Sequence, residues 1–325
     1  MIIEKIKAAN LRGCGGAGFP TALKWEMVRD APGEKKYVIC NVSEGEPAVT
    51  KDGYLLAKHP EIVIDGVKLA LSAIKGSLGI IYLRKDYYKK HKTRLKSLAA
   101  GSPIELFEET CGYLGGEETT LLEVIEGNRA EPRFKPPYPP QSGLRGCPTL
   151  INNLETFFWV AKIASGEYIG NRFYTICGDV KNPGVFELNK DYPIVKILRE
   201  TGNLPAFEFF VQAGGGASGQ ILLESELNQP LCGAGSIAVF DKKKTNLCGL
   251  MKKWSRFFIN ENCGKCVPCR EGVYRLDEML KDGAFDAESA KAIIAVLKET
   301  SFCPFGRGVA NSFESLINKL WNQNK

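Results

Sequence analysis

Two short apolar runs rich in β-branched residues, 36–43 (Lys-Tyr-Val-Ile-Cys-Asn-Val-Ser) and 78–83 (Leu-Gly-Ile-Ile-Tyr-Leu), flank a segment in which Ile62, Val63, Val67, Leu69, Ala70 and Ile74 recur at helical spacing. Strand, helix, strand in that order predicts a parallel α/β unit. Further helices are expected at 89–99 and 117–126, the second preceded by Gly115-Gly116 and carrying acids in its first turn. Residues 131–149 hold six prolines among aromatic and basic groups. That stretch is too stiff for regular structure, and a long ordered loop of this kind is usually functional.

After a helix expected over 152–164, the texture changes. Short strand-like runs at 173–180, 184–188, 209–212 and 235–240, with a helix at 193–200, predict a small α+β module. From about Asn246 onward the pattern is helical, broken mainly at Gly283 and around Cys303-Pro304, which predicts a third, all-α domain.

With 325 residues, 44% of them hydrophobic and 25% charged, the chain has room for two or three globular domains. Charge breaks the longest apolar stretches, such as 156–163, well before membrane-spanning length, and residues 1–7 lack a signal-peptide core. A cytoplasmic, soluble protein without direct membrane insertion is expected. Eleven cysteines, an odd number, argue against a disulfide framework and for a reducing compartment. The net charge of +6 is modest and its lysine runs read as solvated faces, so no nucleic-acid partner is expected.

Cys263, Cys266 and Cys269 stand at three-residue intervals, and Cys303 follows alone. Three thiolates on one short loop with a distant fourth suit a [4Fe–4S] cluster. The alternative, structural zinc, usually presents two separated Cys-x-x-Cys pairs. At the other end, Gly13, Gly15 and Gly18 form a Gly-x-Gly-x-x-Gly pattern. The segment before it, Ile2 to Leu11, is charged and helix-like rather than a strand, so a regular dinucleotide crevice is not supported. Glycines there still let backbone N–H groups approach an anion or a flat ring, although a plain tight turn would use them equally. Asn41 to Glu46 follows the first strand, where open α/β sheets bind ligands. By themselves these residues, like Gly115 to Glu118 and Asn152-Asn153, are also ordinary loop and capping residues.

Read together, these segments carry a resemblance. Residues 15–21 (Gly-Gly-Ala-Gly-Phe-Pro-Thr), Asn41 to Pro47, Gly115-Gly-Glu-Glu-Thr119, 135–143, Ile151-Asn-Asn-Leu-Glu-Thr156 and 263–272 occur in one order. That order is similar to the NADH-binding flavoprotein subunit of respiratory complex I and of related NAD-linked hydrogenases and formate dehydrogenases. The resemblance covers nearly the whole chain. It implies an α/β FMN-binding domain over 1–171, a small β-grasp (ubiquitin-like, SLBB) module over 172–245 and a helical [4Fe–4S]-binding bundle over 246–325.

The resemblance also implies residue roles. Gly13, Gly16, Lys24, Asn41, Tyr113, Gly116, Glu117, Asn152 and Asn153 would surround FMN, and Gly15 and Gly18 of the same glycine loop are counted among the cofactor-binding residues. Phe19, Glu46, Glu118, Lys135 and Tyr138 would serve NAD(H). Glu44, close in sequence to Asn41, is placed at the nicotinamide as the candidate catalytic group. Cys263, Cys266, Cys269 and Cys303 would hold the cluster. The expected activity is hydride transfer between NADH and FMN, in either direction, then one-electron transfer through the cluster to a thioredoxin-like [2Fe–2S] subunit and further iron–sulfur, hydrogenase or dehydrogenase subunits. The assembly would be cytoplasmic, either free or on the cytoplasmic face of a membrane complex. The family commonly has Arg where Cys14 stands and Asp where Ser43 stands, and the complex I form carries an N-terminal extension that this chain lacks. The extension's absence favours a compact soluble relative. The two substitutions support the alternative of an electron-relay or scaffold subunit that has lost productive FMN or NAD binding.

Overall fold

The computed structural model describes residues 1–281 and 285–321. The chain divides into two compact units, one of residues 1–45 and 50–173, the other of residues 46–49 and 174–325.

The first unit contains α1 (Ile2–Ala8), α2 (Thr21–Asp30), β1 (Lys36–Val42), α3 (Lys51–Lys58), α4 (Pro60–Ala73), β2 (Ser77–Leu83), α5 (Lys85–Leu98), β3 (Ile104–Glu108), α6 (Glu118–Glu126), β4 (Thr149–Asn153) and α7 (Leu154–Ser165). The four strands form a sheet in the order β3-β2-β1-β4, parallel throughout. Val38, Ile39, Cys40, Ile81, Tyr82 and Leu83 are almost completely buried, as expected where helices cover both faces of a parallel sheet. Pro60 opens α4, where its missing N–H costs nothing. Gly127 and Gly166 end α6 and α7 in the left-handed conformation, which a residue without Cβ adopts freely.

The structure adds elements that the hydrophobic pattern did not announce: α2, α3, β3 and β4. Of these β4 matters most. The chain emerges from the proline-rich loop directly into a buried strand, and Asn153, at that strand's end, caps α7 by accepting from the Glu155 N–H at 3.0 Å.

In the second unit β5 (Asn171–Gly178, its first residues in the first unit), β6 (Gly184–Asn189), β7 (Phe209–Ala213), β8 (Gln220–Leu223) and β9 (Ser236–Asp241) form a five-stranded sheet in the order β6-β5-β9-β7-β8. Strand β5 runs parallel to β9, and β7 is antiparallel to both β8 and β9. Helix α8 (Ile194–Glu200) buries Ile194, Ile197 and Leu198 against Tyr174, Ile176, Val211 and Val239. Four helices follow, α9 (Leu247–Glu261), α10 (Val267–Lys281), α11 (Ala287–Thr300) and α12 (Pro304–Lys319). The expected break at Gly283 lies outside the described residues. Sheet and helices are tied within this one unit: the Ile221 N–H donates to Ser315 Oγ at 2.9 Å, and Lys319 Nζ donates to the Ile221 carbonyl and to both Glu226 oxygens. Among the described residues no helix is long and apolar enough to cross a membrane.

Helices α4 and α7 meet at Gly66, where a Cβ would lie 2.0 Å from the Phe157 carbonyl oxygen. Overpacking of this kind costs about 1–3 kcal/mol or more, because backbone must move. Gly66→Ala is therefore expected to lower the denaturant midpoint of unfolding by at least that equivalent, and an unchanged midpoint would show that the two helices part without cost.

Candidate functional site

Sheet order places a crevice in the first unit. From β1 the chain steps outward through β2 to β3, then returns across the sheet to add β4 on the other side of β1, a topological switch point. At such points the loops leaving adjacent strands part and open a cleft at the strands' carboxyl ends. The ladder pairs Cys40 with Asn152 and Asn41 with Asn153. Three asparagines thus stand together where the two strands end.

Their hydrogen bonds differ. Asn41 Nδ2 donates to the Gly116 carbonyl at 2.9 Å, linking β1 to the turn before α6, and its Oδ1 accepts from the Ser43 N–H at 3.1 Å. Asn152 Oδ1 accepts from Trp25 Nε1 at 2.9 Å. Asn153 donates to Asp52 at 2.6 Å and accepts from Lys51 at 3.2 Å. The glycine segment folds back on itself: Arg12 and Pro20 form an antiparallel bridge, and the Gly13 N–H donates to the Phe19 carbonyl at 2.9 Å. Gly16 has φ of 112° and Gly18 of 62°, conformations that side chains resist. A Cβ on Gly15 would lie 3.2 Å from Asn153 Cβ, so this lobe sits against the end of β4. The Gly15 and Gly16 N–H groups make no well-formed hydrogen bond among the described residues.

On the other flank charged groups alternate. Lys24 Nζ lies 3.3 Å from Glu118 and also donates to the Ile151 carbonyl; Lys135 Nζ donates to Glu117 at 2.8 Å and to Glu118 at 3.0 Å. Burial pushes the Glu118 carboxyl up, but Lys24 and Lys135 outweigh it and hold it below the usual carboxylate range. Glu117 caps α6, accepting from the N–H groups of Thr119 and Thr120 at 2.9 and 2.8 Å. Lys24 stands 5.7 Å from the Phe19 ring, and both Phe19 and Tyr138 keep their rings exposed. A Cβ on Gly45 would lie 3.1 Å from Tyr113 Cα, and one on Gly116 3.0 Å from the Ser43 carbonyl oxygen. Expected site residues from separate parts of the sequence therefore converge: the glycine lobe with Asn153, Asn41 with Gly116, and Lys24, Lys135, Glu117 and Glu118 with one another.

Two glutamates after β1 accept from backbone N–H groups. Both Glu44 oxygens are committed, one to the Asp52 N–H at 2.8 Å, the other to the Gly53 N–H at 3.0 Å and the Tyr87 hydroxyl at 2.7 Å. Its carboxylate holds the start of α3. Glu46 belongs to the second unit, where its Oε1 accepts from Ala217 N, Ser218 N and Ser218 Oγ.

Sequence reasoning missed the buried network beneath these loops. Lys51, with its side chain 3% exposed, lies 2.7 Å from Asp52 and 3.1 Å from Glu155. Glu155 also accepts from Trp159 Nε1 and the Phe173 N–H. Cys14 is buried beside them; burial first, then Glu155, push its thiol up to about 12, so it is neutral. A separate surface groove lined by Ile62, Asp65, Lys68, Leu69, Ala161 and Lys162 includes none of the expected site residues.

The cysteine centre lies wholly in the second unit. Cys263 and Cys266 occupy the turn between α9 and α10, Cys269 the first turn of α10, and Cys303 the residue that precedes α12. Gly264 turns the loop with φ of 71°, and Arg270 donates to its carbonyl at 2.9 Å. Burial, followed by the neighbouring thiols of Cys266, Cys303 and Cys263, pushes the Cys269 thiol up to about 12. Four thiols within electrostatic reach of one another favour a cationic centre that lets them ionise.

Comparisons with known proteins agree with this geometry. Residues 6–162 match the Nuo51 FMN-binding domain, and residues 249–324 match the NADH-ubiquinone oxidoreductase-F iron–sulfur binding region. The second F-type subunit of NADH-quinone oxidoreductase of Rhizobium meliloti is 32% identical over 97% of this chain and 86% of its own length. The alpha subunit of the NAD-reducing hydrogenase HoxS of Cupriavidus necator is 33% identical over 94% of this chain and 57% of its own. The structure of an NAD+-reducing [NiFe]-hydrogenase in the air-oxidized state superposes with a TM-score of 0.92 at 32% identity, covering 99% of this chain and 61% of that one. The chain thus spans less than two thirds of these hydrogenase chains.

Glu44, Asp52 and Glu155 surround the one ammonium of Lys51. Burial first, set against Lys51 and reinforced by Glu44, raises Asp52 from 3.8 to about 7. The folded value exceeds the unfolded one, so the stability that this proton contributes is complete below about pH 4 and is lost as pH rises through about 7. Asp52→Asn is expected to flatten the change in urea midpoint across that window relative to wild type, and an identical slope would place the shared proton elsewhere.

Proposed function

The chain belongs to the family of the F-type, FMN- and iron–sulfur-binding subunits of NADH-quinone oxidoreductase, and on that premise we propose that it is the NADH-oxidising flavoprotein subunit of a larger redox assembly. FMN, when bound, exchanges two electrons with NADH as hydride and passes them singly to the [4Fe–4S] cluster, which resolves the mismatch between a two-electron donor and one-electron carriers. The observation that carries this reading is the glycine lobe: the Gly15 and Gly16 N–H groups, without a well-formed hydrogen bond among the described residues, lie against Asn153 at the sheet's switch point, where a phosphate or a flat heterocycle needs donors without side-chain bulk.

The residues then have distinct tasks. Gly13, Gly15, Gly16 and Gly18 offer backbone close to the flavin, and Asn152, whose –NH2 has no partner among the described residues, presents a donor to a ring edge. Asn41, Asn153, Tyr113, Gly116 and Glu117 shape the walls. Lys24 and Lys135 keep Glu118 ionised, so that it accepts from ribose hydroxyls and repels a 2′-phosphate, while Phe19 and Tyr138 supply exposed rings for the adenine. Glu44 holds the start of α3 and, in the loop leaving β1 close in sequence to Asn41, is the candidate group at the nicotinamide. The thiolates of Cys263, Cys266, Cys269 and Cys303 hold the cluster.

The five-stranded sheet with α8 packed across it supports a β-grasp module of the SLBB type over residues 172–245, between an FMN domain over 1–171 and a cluster domain over 246–325. Electrons would pass to a thioredoxin-like [2Fe–2S] subunit and further iron–sulfur, hydrogenase or dehydrogenase subunits, with the assembly in the cytoplasm or on the cytoplasmic face of a membrane.

Releasing the cofactor by heat and resolving it by chromatography tests the flavin assignment: FMN is expected, and FAD would overturn it. Glu118→Gln tests the nucleotide assignment. An amide keeps hydrogen bonding but loses the charge, and charge-assisted bonds are worth about 1.5–3 kcal/mol, so the preference for NADH over NADPH is expected to fall by about tenfold or more. An unchanged ratio of kcat/KM for the two nucleotides with ferricyanide as acceptor would remove Glu118 from the ribose.

A further inference from the structure

Between α11 and α12 lies a hydroxyl that no protein group claims. Ser301 is 1% exposed, and its Oγ has no hydrogen-bond partner among the described residues. Its backbone is fixed at both ends: the N–H donates to the Leu297 carbonyl at 3.2 Å, and the carbonyl accepts from Arg307 Nε at 3.1 Å. Buried hydroxyls are almost always paired, so an orphan points to a missing partner. Other buried hydroxyls share this state, among them Thr21, Tyr37 and Ser236, but Ser301 stands two residues before Cys303 and beside Cys269. Gly306 defines the spot: a Cβ built there would lie 2.5 Å from Ser301 Oγ and 3.1 Å from Cys269 Cβ. The absent Cβ leaves Ser301 and a cluster cysteine facing the same small space.

We propose that Ser301 donates its hydroxyl hydrogen to a sulfur of the iron–sulfur centre and thereby sets how readily that centre takes an electron. This rests on the assignment of the cluster to Cys263, Cys266, Cys269 and Cys303. One-electron reduction adds a negative charge that spreads onto the sulfurs, so a fixed donor stabilises the reduced form more than the oxidised one and raises the potential. The serine takes no part in the chemistry; it is a positioning residue for charge.

The test is an EPR-monitored potentiometric titration of the anaerobically purified full chain. Ser301→Ala is expected to keep wild-type iron and sulfide content yet lower the midpoint potential by the equivalent of roughly a threefold to tenfold change in the reduced-to-oxidised ratio, tenfold being 59 mV for one electron. Ser301→Thr, which keeps the donor, is expected to restore the wild-type potential, whereas a mere packing role would leave both variants shifted alike. If Ser301→Ala loses its iron, Ser301→Cys supplies the reading, since a thiol fills the same space as a weaker donor: a potential below wild type is expected. An unchanged potential in whichever of these variants retains the cluster overturns the proposal, as does an equal shift in Ala and Thr. A wild-type chain with no iron overturns the cluster assignment itself, an outcome distinct from either.

Discussion

One buried ammonium holds the first unit's ligand-facing loops in place. Lys51 is taken almost wholly out of water and meets Asp52, Glu155 and the Asn153 side-chain oxygen. Desolvating an ion costs several kcal/mol, a cost offset only where good geometry and further hydrogen bonds satisfy every partner. Here the partners come from three separate elements, the start of α3, the end of β4 and the start of α7, so satisfying Lys51 fixes all three at once. Glu44 extends the tie to the loop leaving β1 by holding the first N–H groups of α3. Burial, opposed by Lys51 and reinforced by Glu44, is why Asp52 retains a proton more readily than an ordinary carboxyl.

The glycine lobe gains its meaning from this frame. It follows a helix instead of a strand, so it cannot use the dinucleotide geometry that its spacing suggests. It is laid against Asn153, a residue already immobilised by Asp52 and Lys51. A flat cofactor in such a place is positioned by backbone and amide donors on rigid elements, which suits a reaction in which the cofactor carries the hard chemistry and the protein supplies orientation and electrostatics. On the charged flank, Lys24 and Lys135 tie Glu118 and Glu117 together. In the second unit Gly264 turns the loop between Cys263 and Cys266, and Gly306 leaves room beside Cys269.

Much of this was legible in the chain because period and burial agreed. The runs around Val38 and Ile81 became β1 and β2, and the helical spacing through Val63, Val67 and Ala70 became α4. Strand β4 was hidden because Thr149-Leu-Ile-Asn-Asn153 is short, follows prolines and ends in residues that also cap a helix. The strand's identity comes from pairing with β1, which is non-local. Lys51 was hidden for a related reason: a lysine beside an aspartate reads as a surface pair, and only the return of β4 and α7 buries it. The bonds of Glu44 were hidden as well, because α3, an element the pattern did not reveal, supplies the N–H groups that its carboxylate accepts from.

The most direct measurement of the central claim is anaerobic titration of the purified chain with NADH, following flavin absorbance and the EPR spectrum together. The flavin is expected to bleach on mixing and a reduced [4Fe–4S] signal to appear with it, showing that one chain joins two-electron oxidation of the nucleotide to one-electron reduction of the cluster. Protein that holds both flavin and iron but remains unreduced by NADH, while dithionite reduces both centres, would contradict this and favour an electron-relay role.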